Sequence, residues 1–395
     1  MADQREVVVV SGVRAPIGAF GGTLKDLSPS ALGARVVREA ITRSKLEPAR
    51  IGQLVCGNVI HGEARDMYVS RAIALDAGMA RESCALTLNR LCGSGLQAIV
   101  TAANAIQLGD TDAAVGCGVE SMSRGGYLLP AARFGARMGD SKMIDMMVGA
   151  LTDPFSPNHM GITAENIAEQ FQISRADQDA FSLESQQRAV AAIAAGRFKS
   201  QIVPIEIQSR KGTVLFDTDE YPKADASLEN LAKLKPAFKK DGTVTAGNAS
   251  GINDGAAAVV LMEAGAAGRA GLKPLARLVA YAVAGVDPNI MGTGPIPAVR
   301  LALKRAGLSL KDIDVIESNE AFAVQSLCVA RELGFDPAKV NVNGGAVALG
   351  HPLGATGAIL TVKCLYELER TGKRYGLVTM CIGGGQGIAG IFERL

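Results

Sequence analysis

Two hydrophobic patterns alternate along this chain. VVVVSG, from Val7 to Gly12, is a short apolar run of the kind a buried strand requires. LGARVVREAITRSKL, from Leu32 to Leu46, repeats its apolar residues at three- and four-residue spacing, as one face of a helix. QLVCGNVI, from Gln53, returns to the strand pattern. Far downstream, IPAVRLALKRAGL (Ile296 to Leu308) is helical and leads into the strand-like DVIESNEAF. Strands alternating with helices predict an α/β fold of parallel sheets with helices on both faces.

The two ends of the chain also resemble each other. Arg50-Ile51-Gly52-Gln53-Leu54-Val55 followed by Asn58 parallels Lys311-Asp312-Ile313-Asp314-Val315-Ile316 followed by Asn319. LCGSGLQAIVTAANAI parallels HPLGATGAILTVKCL, and TDAAVGCGVESMS parallels GLVTMCIGGGQG. The offset stays near 260 residues through all three pairs, as a duplicated half-domain demands. Residues 123–248 break the pattern with RGGYLLPAARFGARMGD, DPFSPNHMG, the helical stretch TAENIAEQFQISRADQDAFSLESQQRAVAAIAAG and a basic run from Arg210 to Lys240. This organisation predicts an N-terminal half at 1–122, an inserted α-rich lobe at 123–248, a return to the first half at 249–273, and a C-terminal half at 274–395.

Composition narrows the function. A chain of 395 residues, 48% hydrophobic and 20% charged, can bury a large core in more than one unit. A net charge of +2 gives no electrostatic reason for a nucleic-acid or membrane-surface partner. The seven cysteines form no C-x-x-C pair, which argues against a zinc site and a disulfide framework and for a reducing compartment. With no signal-peptide pattern and no apolar stretch of about 18 residues, a cytoplasmic location is expected.

Four turns carry candidate chemistry. In NRLCGSGLQAIV, Cys92 stands at the threshold of a helix among small residues, where an unpaired helix N-terminus would lower a thiol pKa toward neutrality. The alternative is a small residue required for packing at a strand-to-helix turn. GGAVALGHPLGATGA fixes His351, one of three histidines, at another such turn, as a general base or as a structural hydrogen-bonded histidine. VTMCIGGGQGIAG places Cys381 after a strand and before three glycines. SNEAF places Asn319 and Glu320 at a strand end, where sites form in α/β sheets. The combination is far more specific than any member.

NRLCGSGLQA, GNASGINDGAAA, SNEAFA, GGAVALGHPLGATGA and CIGGGQGIA, in this order, resemble the thiolases over essentially the whole chain. The resemblance implies two duplicated βαβαβαββ halves forming a five-layered αβαβα core, with a loop domain over the coenzyme A site. It implies a ping-pong Claisen condensation, or the reverse thiolysis, that interconverts acetyl-CoA plus acyl-CoA with 3-ketoacyl-CoA plus CoA. Carried onto matching positions, Cys92 is the acylated nucleophile, His351 its activating base, and Cys381 the acid/base at the substrate α-carbon. Asn319 with His351 would hold one oxyanion, and the amides of Cys92 and Gly383 the other.

Leu151, His159, Met160, Phe238, Ala246 and Ser250 match positions that line the coenzyme A groove. Lys223 stands where related chains commonly have an arginine, and it cannot supply the same planar stack. Coenzyme A is then a substrate and product, with no permanently bound cofactor and no metal. His159-Met160-Gly161 and Met291-Gly292 resemble short-chain members, with the methionines restricting the acyl pocket or simply packing a core. A homotetramer built as a dimer of dimers is expected. The competing readings are a degradative thiolase of broader chain length, a ketosynthase-type condensing enzyme, and a non-catalytic CoA- or lipid-binding relative. Cys381 in place of a second histidine speaks against the ketosynthase, and the intact set of reactive positions against the binder.

Overall fold

The computed structural model describes residues 5–209 and 212–395. Arg210 and Lys211, the start of the basic run, lie outside the described residues. One ten-stranded sheet runs through both halves. In the N-terminal half Val7–Arg14, Asn253–Glu263, Ala113–Ser121, Gln53–Gly57 and Cys84–Leu88 lie side by side, and in the C-terminal half Ala276–Gly285, Gln386–Arg394, Tyr375–Ile382 and Val315–Ser318. The halves join where Val8 and Val9 pair with Arg277 and Ala276.

Side-chain alternation sorts the molecule into five layers. Along Val7–Arg14, Val7 and Val9 enter the central core and Val8 and Val10 the outer one, a period of two that the register shift between Val9 and Ser11 interrupts, so that Val13 also enters the outer core. The central core is filled by the helices Ser94–Leu108 and Leu353–Thr371, sandwiched between the two half-sheets. The second of these is buried along nearly its whole length, which accounts for its apolar character all round. Pro29–Ser44 and Val69–Asp76 cover the outer face of the first half-sheet, and Pro295–Ala306 and Ala323–Leu333 that of the second.

The sheet is mixed rather than parallel, which corrects the expectation from strand–helix alternation. Among the ladders of the described strands, Gln53–Gly57 with its two neighbours and Val315–Ser318 with Tyr375–Ile382 pair in parallel, and the other main ladders are antiparallel. Each half ends in a hairpin, and a hairpin is antiparallel by construction. In the C-terminal half its turn is Gly383–Gly385, with Gly384 and Gly385 at positive φ. In the N-terminal half the corresponding strands, Ala113–Ser121 and Asn253–Glu263, are separated in sequence by the whole inserted lobe.

Local signals set most helix ends. Ser28 caps Pro29–Ser44 by accepting from the Ala31 amide, and Lys45 ends it in the left-handed region at φ 61°. The long helical stretch expected in the lobe is two helices, Met160–Gln170 and Arg175–Ala194. Gln172 turns at φ 51°, and Ser174 with Asp177 forms a capping box for the second. The strand patterns QLVCGNVI and DVIESNEAF end at Gly57 and Ser318, and the next amides, of Asn58 and Asn319, still donate to the Leu88 and Thr379 carbonyls of the neighbouring strands.

Candidate active site

Cys92 lies in a tight turn, Leu91–Gly93, immediately before the helix Ser94–Leu108. Leu91 adopts φ 46°, a conformation unusual for a branched side chain, and its neighbours hold it there. Its amide donates to Asn89 Oδ1 at 2.8 Å. The Ser94 hydroxyl donates to the Leu91 carbonyl at 2.7 Å and accepts from the Arg90 amide at 2.8 Å. Asn89 and Ser94 thereby fix the direction in which the thiol leaves the chain.

The thiol environment differs from the sequence expectation. Burial pushes the Cys92 thiol up to about 11, with the Gly383 amide and its own amide pulling the other way. The side chain is half-buried against Ile60, Met122 and Leu353, and this apolar wall outweighs the amides of one short turn. Cys92 is therefore a neutral thiol in the free protein.

His351 is buried at the start of the helix Leu353–Thr371. Gly350 precedes it at φ 104°, and a Cβ there would collide with the Asn253 side chain, so glycine is required. The His351 amide donates to Asn253 Oδ1 at 3.0 Å. Its Nδ1 lies 2.6 Å from Thr356 Oγ1, and that hydroxyl donates to the Pro352 carbonyl at 3.2 Å. This network assigns the proton to Nδ1 and leaves the Nε2 lone pair free to accept. Asn319 Nδ2 approaches Nε2 at 3.4 Å. Burial pulls the imidazole down to about 4, so it too is neutral at physiological pH.

Cys381 is the penultimate residue of the strand Tyr375–Ile382 and is fully buried; desolvation, then the neighbouring Cys92, push its thiol far above the usual range. Cys92, His351 and Gly383 line one cavity of about 330 Å³, and Cys381 and Asn319 are not among its lining residues. Leu151, His159, Met160, Phe238, Ala246 and Ser250 all line the same cavity. Phe238 stacks on His159 with ring centroids 4.6 Å apart, an approach open only because residue 161 is glycine. Lys223 does not reach this wall. It lines an adjoining cavity of about 180 Å³ that shares Tyr221 and Ala246 with the first, and its ammonium lies 5.9 Å from the Tyr221 ring centre.

Thr356 and Asn253 escaped the sequence reading. Asn253 sits inside the quoted stretch GNASGINDGAAA, and Thr356 follows His351 by five residues, one turn into the helix. Their roles depend on contacts that spacing alone does not specify. Among the described residues no group of histidine, cysteine and acidic side chains could hold a metal ion, and no helix is long and apolar enough to cross a membrane.

A thiol and a neutral imidazole with an acceptor nitrogen on the wall of one apolar cavity, with a second thiol near the first, are the equipment of covalent acyl transfer. The family models described as "Thiolase, N-terminal domain" and "Thiolase, C-terminal domain" match residues 7–265 and 272–394. The chain belongs to the thiolase family, and it is an acyltransferase. It is 62% identical over 392 residues to the beta-ketothiolase BktB of Cupriavidus necator, covering 99% of this chain and 100% of that protein. The crystal structure of the Bacillus anthracis acetyl-CoA acetyltransferase superposes with a TM-score of 0.97 at 47% identity, covering 99% of both chains. Human mitochondrial 3-ketoacyl-CoA thiolase in complex with CoA gives 0.96 at 46% identity, covering 100% of this chain and 99% of that one.

Proposed function

We propose that this thiolase joins two short acyl-CoA molecules, or cleaves the short-chain 3-ketoacyl-CoA they form, with the acyl group carried on Cys92. The observation that carries the reading is the placement of Cys92, His351 and Gly383 on the wall of one apolar cavity. In the first half-reaction Cys92 Sγ attacks the thioester carbonyl carbon and its proton passes to His351 Nε2. The bond from that carbon to the coenzyme A sulfur breaks, and the departing thiolate takes a proton from Cys381. The amides of Cys92 and Gly383 stabilise the oxyanion, each donor contributing roughly 3 kcal/mol.

In the second half-reaction the Cys381 thiolate removes the α-proton of acetyl-CoA. The protonated His351, with Asn319 acting through a water, stabilises the enolate oxygen. Carbon–carbon bond formation expels Cys92 as a thiolate, which recovers its proton from His351, and all three groups return to their starting states. Burial raises the Cys92 thiol and lowers the His351 imidazole, and both shifts oppose proton transfer between them in the free enzyme. The transfer must therefore accompany carbon–sulfur bond formation, when the oxyanion donors engage.

Met160 and Met291 are buried and both line the cavity, which supports a restricted acyl pocket. Thiolysis measured across 3-ketoacyl-CoA chain lengths tests this. Efficiency should peak at four to five carbons and fall beyond, since each methylene left unburied forgoes about 0.8 kcal/mol. Met160→Ala should shift the peak to longer chains. Efficiency that climbs steadily with chain length in the unaltered enzyme would reject the restricted pocket.

Coenzyme A is read as substrate and product, its pantetheine along the main cavity and Lys223 near its outer end. The division at 1–122, 123–248, 249–273 and 274–395 accompanies this reading, as do a cytoplasmic location and a homotetramer. Phe134 and Met138, 86% and 97% exposed on the lobe, support self-association. Light scattering that gives a monomer at micromolar concentration excludes the tetramer.

A further inference from the structure

The duplicated halves carry different chemistry at the same strand ends. Gly57 pairs with Gly118 in the first half as Ser318 pairs with Thr379 in the second. Asn58 and Glu120 thus hold the positions that Asn319 and Cys381 hold in the other half. The chemistry proposed above uses Asn319 and Cys381 and leaves Glu120 without a task.

Glu120 is fully buried, and four donors converge on its carboxylate. Oε2 accepts from the Gly354 amide at 2.8 Å and the Val59 amide at 3.1 Å. Oε1 accepts from the Ile60 amide at 3.0 Å and from Asn58 Nδ2 at 3.1 Å. Gly354 lies three residues after His351, in the first turn of its helix, where an amide has no partner within the helix. A Cβ on Gly354 would sit 2.8 Å from Glu120 Oε2 and 3.0 Å from Asn58 Cα, so the turn closes against the carboxylate only because residue 354 is glycine.

We propose that Glu120 is a positioning residue: its carboxylate ties the turn bearing His351 to the end of the strand Gln53–Gly57 and so sets His351 Nε2 relative to Cys92. The inference rests on the reading of His351 as the base. Two donors depend on each oxygen, so an amide in place of the carboxylate confronts two N–H groups whichever way it turns. The ionised carboxylate also makes stronger bonds than its protonated form. Burial raises Glu120 to about 7, so the clamp tightens as pH rises through neutrality. The titratable groups that act electrostatically on or with Glu120 are Asp254, Cys56 and Cys92.

The test is Glu120→Gln in the full-length enzyme, with kcat and KM for acetyl-CoA followed across pH 6 to 8. A base displaced by about an ångström lowers kcat on the order of 10²-fold, with KM for acetyl-CoA little changed. The unaltered enzyme should show kcat rising through an inflection near pH 7 that is lost in Glu120→Gln. A folded Glu120→Gln enzyme with unchanged kcat and the same inflection overturns the proposal. Should the variant fail to fold, hydrogen exchange at the Gly354 amide of the unaltered enzyme decides. Slow exchange supports the clamp, and exchange at the rate of a free amide refutes it. Failure of the underlying reading shows separately, as turnover retained in His351→Ala.

Discussion

Gly95 and Gly357 bring the first turns of the two central helices into backbone contact. A Cβ on Gly95 would lie 2.6 Å from the Ala358 nitrogen, and one on Gly357 would collide with the Leu96 nitrogen. Cys92 stands just before the first of these turns and His351 just before the second. The crossing therefore brings Cys92 and His351 to one cavity although they are far apart in sequence.

Gly95→Ala should consequently lower both stability and acylation. Backbone cannot rotate away as a side-chain tip can, so the helices must separate, at a cost of about 1–3 kcal/mol. Denaturant unfolding and the rate of acetyl-enzyme formation are the measurements. An unchanged unfolding midpoint would show that the helices do not touch there.

Alkylation of the free enzyme should follow the raised thiol. With burial holding Cys92 at about 11, its labelling by iodoacetamide should keep accelerating above pH 9 rather than level off near neutrality. Cys84 is exposed and competes for reagent, so Cys84→Ser is the background of choice. A plateau below pH 8 for Cys92 would mean that the helix terminus, not the apolar wall, governs the thiol.

The two site cysteines should separate by half-reaction. Cys92→Ala should abolish acyl-enzyme formation, and Cys92→Ser should leave only slow acylation, because a hydroxyl is harder to ionise than a thiol. Cys381→Ala should still accept an acetyl group from acetyl-CoA, seen by intact-protein mass, yet lose condensation on the order of 10²–10⁴-fold. An acyl adduct mapped to Cys381 reverses the two roles.

Thr356→Val keeps the shape of the side chain and removes the hydroxyl that accepts from His351 Nδ1. The imidazole can then place its proton on Nε2, where it cannot take the proton of Cys92. A loss in kcat of roughly 10- to 10²-fold is expected, with substrate KM little affected. The low imidazole value sets the sign of a companion effect. Folded His351 stays neutral to about pH 4 while the unfolded residue protonates near pH 6.5. Its burial is therefore without penalty above about pH 6.5 and costs stability as pH falls from there toward 4. Calorimetry of His351→Asn should show that acid sensitivity reduced, and an unaltered acid limb contradicts it.

Much of this protein was legible before its structure. The duplicated pattern, the four turn motifs and the proposal that Cys92, His351, Cys381 and Asn319 act together rest on residue type and order, which local chemistry dictates. Period-two and period-3.6 patterning fixed which segments are strands and helices, because each must bury one face. Strand direction was not legible, since the inserted lobe hides the first hairpin behind a long stretch of other sequence. Nor were Thr356, Asn253 and Glu120, whose importance lies in partners supplied by distant segments. The thiol is the sharpest case. Its position before a helix argued for an acidic cysteine, and the tertiary structure decided otherwise, because desolvation depends on which apolar side chains pack around a group, a property of the folded interior that no local stretch contains.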